Sequence, residues 1–332
     1  MGSFTDSFLR EQLVDRRQRL QSALTVSQQA GSLVALLNEV DSALARMEEG
    51  TYGLCESCHE PVETARLLAD PLVRYCLDHL TPDQRRGLQE DLELAAQIQR
   101  ELLPQQHSVF EGWQVSYHYK TLGPVSGDYC DVIAGANDGK DLFFILGDAS
   151  GKGVAASMLM AHLHAIIRTL IATGSPLDQL VERASRIFCE STVSPYFATL
   201  VCGRARASGE IELCNAGHCP PLLVQPGKVT KFEATGLPLG LFCDGQYSTQ
   251  TVTLGPGDSL LLYTDGLTEA GNVAGEEYGE ERLRRLTGER HTLRAEALVD
   301  ACLKDLATFL AGMPLKDDLT LMAIRRMDKT GN

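Results

Sequence analysis

Hydrophobic positions in the first hundred residues step by three and four. One set is Leu9, Leu13, Leu20 and Leu24; a second is Leu33, Leu37, Val40, Leu44 and Met47. This spacing puts each set on one stripe of a helix. No Pro occurs before Pro61. Two antiparallel helices with a bend near residues 25–32, or one long helix, both fit. A stripe this narrow finds another helix, within the chain or in a second subunit. Thr81-Pro82-Asp83 reads as a helix start. Leu88, Leu92, Ala95, Ile98 and Leu102 then mark the inner face of a helix that stops at Pro104.

From Trp113 the pattern changes to short strands. Residues 114–119, 129–133 and 142–146 come first. Two helices follow, from Val154 to Ala172 and from about Pro176 to Cys189. Residues 198–206 and 209–214 read as a hairpin around Ala207-Ser208. Residues 221–224 and 229–233 flank Gln225-Pro-Gly-Lys228, and 250–254 and 259–264 flank Gly255-Pro-Gly-Asp258. Helices near 279–286 and 293–309 precede a last strand, 319–324. This order predicts an α+β fold: two mostly antiparallel sheets with helices outside, preceded by an α-helical, coiled-coil-like segment.

Length and charge narrow the class. A chain of 332 residues fits about two domains. A formal net charge of −14 argues against a general nucleic-acid binder, which needs clustered Lys and Arg. Met1 to Arg10 carries charge and no apolar core, and Asp6 does not fit a myristoylation signal. The long apolar run from Val154 contains His162, His164 and Arg168, which fits a core helix and not a membrane span. The expectation is a cytoplasmic protein with no membrane association. Of ten cysteines, three cluster at 55, 58 and 76 and seven scatter through apolar segments. That pattern predicts a reducing environment, one metal site and several packed thiols.

Cys55-Glu-Ser-Cys58, seventeen residues and Cys76-Leu-Asp-His79 form two ligand pairs with structural-zinc spacing. His59 is the rival fourth ligand; it lies beside Cys58 with poor reach, so His79 is preferred. ALARMEEGTYGLCESCHEP, RLLADP and the second pair resemble the zinc finger of the DksA/TraR family over about Leu44 to Leu80. That family usually has four cysteines, so His79 is a departure. The resemblance omits the acidic coiled-coil tip through which DksA acts on RNA polymerase, so that activity is not carried over.

Acidic residues at strand ends or beside glycine form the second constellation. They are Ser126-Gly127-Asp128-Tyr-Cys-Asp131, Gly147-Asp148, Thr264-Asp265-Gly266 and Asp317-Asp318. Singly, each is a common turn residue. Together they supply the oxygen ligands that Mg²⁺ and Mn²⁺ prefer, and a pair of such ions can acidify water and clamp a phosphoryl group. Gly147 to Gly153 is no P-loop, because three residues rather than four precede Gly151-Lys152. There is no GxSxG elbow and no Gly- and Arg-rich cysteine loop for a covalent nucleophile.

SGDYCD, LGDASGKGVAASMLM, FATLVCG, NAGHCPPLL, GLPLGLF, LLLYTDGLTEA and DDLTLMAIRR resemble, in order, the SpoIIE/RsbU-like branch of the PPM (type 2C) metal-dependent protein phosphatases. LELAAQIQRELLP looks like the linker preceding that domain. The resemblance covers about Leu92 to Arg326. It implies an αββα sandwich binding two Mn²⁺ or Mg²⁺. On that match Asp148 bridges both ions, Asp128 and the Ala149 carbonyl serve one, and Asp265 and Asp317 serve the other, with Asp131 and Asp318 as neighbours. Ser126 and Cys130 depart from the usual Gly and aromatic. The implied reaction is in-line hydrolysis of phosphoserine or phosphothreonine without a phosphoenzyme. His218 is a conceivable general acid, although ordering the turn beside Pro220-Pro221 suits it better. Lys152 is a possible phosphate contact or a solvated lysine.

The expected division is a helical segment at 1–50, a zinc finger at 51–81, a linker helix at 82–104 and a phosphatase domain at 109–328. One structural Zn²⁺ and two Mn²⁺ or Mg²⁺ are expected. The implied partner is a phosphorylated anti-sigma-factor antagonist, and a homodimer through the N-terminal and linker helices is expected. The competing class is a zinc-finger transcription regulator of RNA polymerase with a passive phosphatase-like module.

Overall fold

The computed structural model describes residues 2–24, 30–80, 82–135, 141–192 and 196–327. The Thr81 cap and most of the bend at 25–32 lie outside these residues. The chain divides into two compact units, Met1–Asp91 and Leu92–Asn332.

In the first unit α1 (Gly2–Leu24) and α2 (Ala30–Glu49) are separate helices. Leu13, Leu20, Val40 and Ala43 are buried between them, with Leu33, Leu37 and Leu44 alongside. Leu9 packs in one cluster with Met47, and Arg17 pairs with Asp41 at 2.7 Å. As the α1 number falls the α2 number rises, so the helices run antiparallel. The Leu33–Met47 stripe therefore has its partner helix within the chain, which corrects its assignment to a dimer seam. Beyond α2, a bridge between Leu54 and Pro61 closes the first cysteine turn. A short helix, α3 (Thr64–Ala69), and a 3-10 turn, Leu77–His79, complete the unit.

The linker helix α4 (Pro82–Leu102) leads into the second unit. There β1 (His107–Phe110), β2 (Trp113–Lys120), β7 (Leu222–Gln225), β8 (Lys228–Lys231), β10 (Ser259–Tyr263) and β11 (Leu319–Arg326) form one sheet, ordered β1-β2-β11-β10-β7-β8. The other is β3 (Asp128–Gly135), β4 (Asp141–Ala149), β5 (Ala198–Arg206), β6 (Glu210–Ala216) and β9 (Gln250–Thr253), ordered β3-β4-β5-β6-β9. All neighbouring pairs are antiparallel.

The run Leu142–Leu146 is continuously apolar because β4 is buried on both faces. Leu142, Phe144 and Leu146 join the core between the sheets. Phe143 and Ile145 face the other way, into a cluster with α5 (Gly153–Ile171) and α6 (Leu177–Ser191). Each such side chain contributes about 1.5–3 kcal/mol by burial. Gly203 sits opposite Phe144, where a Cβ would lie 2.1 Å from the ring. On the first sheet, α8 (Glu280–Glu289) and α9 (Ala295–Leu310) cover the outer face. The layers are αββα, as expected.

Helix α5 is the one described helix long and apolar enough to cross a membrane, and its Ala156, Met160, Leu163 and Ile167 are buried on the sheet. The expectation of packed thiols needs one correction. Cys189 and Cys243 form a disulfide, with Cα atoms 5.3 Å apart. The 240s loop lies along α6, where Tyr247 donates a hydrogen bond to Ser185 in the middle of the helix. Strand β1 and the short helix α7 (Asp265–Thr268) are further elements the periodicity did not indicate.

Candidate active site

Two strand ends set the geometry. Asp128 opens β3 directly opposite Asp148 near the end of β4. Asp128 is buried, and its carboxylate accepts hydrogen bonds from the hydroxyls of Thr264, just after β10, and of Thr320 in β11. Asp265 begins α7, immediately after β10, while Asp317 and Asp318 precede β11. Glycine is required beside Asp265. A Cβ on Gly266 would lie 1.8 Å from the Asp318 carbonyl oxygen, so only glycine lets these two segments meet. Gly127 plays the same part on the other side, where a Cβ would lie 2.9 Å from the Ala149 carbonyl oxygen.

The electrostatics follow from crowding carboxylates under cover. Burial, then repulsion from Asp265, Asp317 and Asp318, pushes Asp148 up to about 7. Burial, then Asp148, raises Asp128 well above the usual range. Burial, then Asp317, raises Asp265. Lys152 opposes these effects: its ammonium donates to Asp317 at 2.7 Å and to the Lys316 carbonyl at 3.0 Å. A nest of mutually repelling oxygens with one exposed ammonium calls for cations, and an all-oxygen donor set fits hard divalent ions. Asp128, Asp148, Asp265, Asp317 and the Ala149 carbonyl are the residues available to hold them.

Other expected residues have different work. Asp318 accepts backbone N–H groups from Leu122 at 2.6 Å and Gly127 at 3.0 Å, pinning the loop that delivers Asp128. Asp131 is a correction. It lies three residues beyond Asp128, so the strand turns it to the opposite face. There it is fully buried against α5, held by two 2.8 Å hydrogen bonds from Arg168, with His164 3.6 Å away. It is therefore outside the carboxylate nest. His218 is buried and its Nδ1 lies 2.7 Å from the Thr199 hydroxyl. The His218 backbone N–H donates to Asn215 Oδ1, and Asn215 Nδ2 donates back to the His218 carbonyl. Burial lowers its pKa to about 4, which favours the neutral imidazole, and its hydrogen bonds hold the turn.

Three supporting residues escaped the sequence reading. Thr264 and Thr320 adjoin the aspartates in YTDG and DDLT, and that adjacency was the available signal. Gln99 is buried near the end of α4. Its Nε2 donates to the Ser126 carbonyl at 2.7 Å and its Oε1 accepts the Ser126 N–H at 2.9 Å. The Ser126 hydroxyl in turn accepts the Asp128 N–H at 3.0 Å. A polar residue in the otherwise apolar row Leu92, Ala95, Leu102 was the clue.

In the first unit, ligand atoms of Cys55, Cys58, Cys76 and His79 lie within 4.8 Å of one another. Cys58 and Cys76 Sγ are 3.8 Å apart, and His79 Nδ1 is 3.2 Å from Cys76 Sγ. Zn–S bonds of about 2.3 Å in a tetrahedron put sulfurs roughly 3.8 Å apart, so the set fits zinc. His59 is outside the group. Burial disfavours the Cys55 thiolate, but hydrogen bonds from the Cys76, Cys58 and Ser57 backbone outweigh it and lower the thiol to about 6. Among the described residues this is the only such tight group.

An antiparallel αββα sandwich with aspartates gathered at strand ends defines the metal-dependent type 2C phosphatase fold. Residues 138–327 match the model of Stage II sporulation protein E (SpoIIE), and the chain belongs to that family. Residues 50–78 match the prokaryotic dksA/traR C4-type zinc finger. The chain is 26% identical over 270 residues to the phosphoserine phosphatase RsbU of Bacillus subtilis, covering 78% of each chain. It is 26% identical over 265 residues to protein IcfG of a Synechocystis species, covering 71% of this chain and 41% of that one. A solved structure of the RsbU and RsbW domains of Rv1364c from Mycobacterium tuberculosis is 29% identical, with a TM-score of 0.56 over 69% of this chain and 63% of that one.

Proposed function

We propose that this protein is a Mn²⁺- or Mg²⁺-dependent phosphatase that hydrolyses phosphoserine or phosphothreonine on a protein substrate. The observation that carries the reading is the nest of Asp128, Asp148 and Asp265, all raised by burial and mutual repulsion, in a SpoIIE-family fold. Two bound divalent ions would supply charge neutralisation at the phosphoryl oxygens and lower the pKa of water. The chain's part is placement. Thr264 and Thr320 fix Asp128, Asp318 fixes the loop before it, and Gly127 and Gly266 let the backbone close around the site. Lys152, 62% exposed, is free to turn from Asp317 toward a substrate phosphate. The likeness to the phosphoserine phosphatase RsbU supports a phosphorylated protein as substrate; the finer reading proposed here is a phosphorylated anti-sigma-factor antagonist in a cytoplasmic setting.

The division into helical segment, finger, linker and phosphatase domain belongs to the same proposal, with one Zn²⁺ on Cys55, Cys58, Cys76 and His79. Leu94 and Ile98, one turn apart on α4, are 56% and 55% exposed, an apolar pair suited to a second copy of the chain. Register of such a helix pair would act on Asp128 through Gln99 and Ser126. Purified protein should release phosphate from a phosphoserine peptide in Mn²⁺. No turnover in Mn²⁺ or Mg²⁺ would leave the finger as the working part and the sandwich as a passive module.

A further inference from the structure

The cysteines sort by access. Cys130, Cys202, Cys214 and Cys302 are buried, and Cys219 is half-buried with its thiol pushed up to about 12 by burial, then Asp265 and Asp148. Cys55, Cys58 and Cys76 belong to the finger. Cys189 is half-buried and Cys243 exposed, and these two are bonded. The same chain thus holds three reduced thiols suited to zinc and one disulfide open to solvent. Exchange with an external thiol needs such access.

The disulfide joins the end of α6 to the tip of a loop whose roots are held without it. Leu239 and Ala198 exchange two backbone hydrogen bonds, of 2.9 and 2.7 Å. Tyr247 donates to Ser185 at 3.0 Å, and Gly240 lies so close to Phe188 that a Cβ there would be 2.8 Å from the ring. Between those roots the tip carries Leu241 and Phe242, 44% and 57% exposed. The loop borders the catalytic turn. Ala198 pairs with Ala149, Ser150 and Phe197 exchange hydrogen bonds of 2.8 and 2.9 Å, and Tyr196 reaches toward Gly151.

We propose that Cys189 and Cys243 form a reversible thiol–disulfide site that sets the order of the 241–246 tip, and through it the fit of a phosphoprotein at the rim of the cleft. The reductant is a small thiol of the glutathione class. One thiolate attacks a sulfur of the pair, the other cysteine leaves as thiolate, and a mixed disulfide forms. A second thiolate breaks that bond, so the protein gains two electrons and two protons and the reductant leaves as its own disulfide. Reduction frees the tip while Leu239, Ser185 and Tyr247 hold the roots. The consequence for turnover rests on the active-site reading; the site itself does not.

The full zinc-loaded chain, equilibrated in oxidised or reduced glutathione, is alkylated and mapped by mass spectrometry, and its amide hydrogen exchange is followed. The expected result is a linked Cys189–Cys243 peptide in the first sample and two alkylated cysteines in the second. Exchange in 241–246 should be about tenfold faster after reduction. In Cys243→Ser it should be fast in both buffers. On the same samples, KM for phosphorylated casein should rise on reduction while p-nitrophenyl phosphate turnover stays constant. Absence of the linked peptide, or equal exchange in both states, would overturn the site. Equal KM for casein in both states would overturn its effect on substrate. If neither substrate turns over in either state, the active-site reading fails and the thiol site stands on the mapping.

Discussion

Asp148 carries the sharpest residue-scale consequence. Its usual pKa is 3.8 and the folded, metal-free site raises it to about 7. Below the lower value both states are protonated, and the preference of the fold for the neutral acid is fully felt. As pH rises through about 7 that contribution is lost, because the unfolded chain has already released the proton. Asp128 and Asp265 shift in the same direction. Metal-free protein should therefore melt at a lower temperature at pH 8 than at pH 5, and Mn²⁺ should restore Tm at pH 8. A Tm flat across this range without metal would contradict the site electrostatics. Asp131 separates structure from chemistry. Asp131→Asn should cost about 1.5–3 kcal/mol through its charged hydrogen bonds to Arg168, and leave the Mn²⁺ concentration for half-maximal activity unchanged; denaturant unfolding and a metal titration check the two halves. The sequence brought Asp131 into the nest by proximity to Asp128, yet the two-residue period of a strand already placed it on the other face. Cys189 and Cys243 offered no such clue, since 54 positions separate them and their pairing depends on how a loop returns to a helix.

Among the elements, α4 connects periodicity to the site. Its apolar row was legible by spacing, and so was β4, whose unbroken apolar run signals burial on both faces. Strand β1 was not, because HSVF at a sheet edge alternates only between exposed and half-buried positions and its partner β2 supplies the register. Gln99 shows what spacing leaves out. It holds a core position on α4 while its amide satisfies both backbone groups of Ser126. Gln99→Leu would keep the apolar row and strand a buried N–H and C=O, at about 1–3 kcal/mol each. The expected outcome is a folded protein with lower Tm and a shifted Mn²⁺ requirement. An unchanged metal titration with lowered Tm would reduce Gln99 to a packing role. Ile98→Lys should weaken self-association in sedimentation; a wild-type monomer at all concentrations would remove the proposed helix pair.

For the whole molecule, the proposal places a thiolate–imidazole zinc site in one compact unit and a carboxylate site for divalent ions in the other. The finger should hold one Zn²⁺ through purification without chelator, and elemental analysis showing none would refute that assignment. Structural zinc in finger peptides is worth roughly 10–16 kcal/mol of apparent binding energy, so His79→Ala should release zinc and loosen the first unit. The layers and their order were readable from strands alternating with amphipathic helices. The closeness of Asp265 to Asp318 was not, because it depends on a backbone approach that Gly266 permits. On the proposed function the aspartates form one divalent-metal site that performs phosphoester hydrolysis. Isothermal titration of Mn²⁺ into Asp148→Asn beside the wild type, with p-nitrophenyl phosphate turnover on the same samples, tests it most directly. The expected result is two Mn²⁺ per wild-type chain beyond zinc, with binding and turnover both lost in the variant and its circular dichroism unchanged. Wild-type turnover in a well-folded Asp148→Asn protein would contradict it.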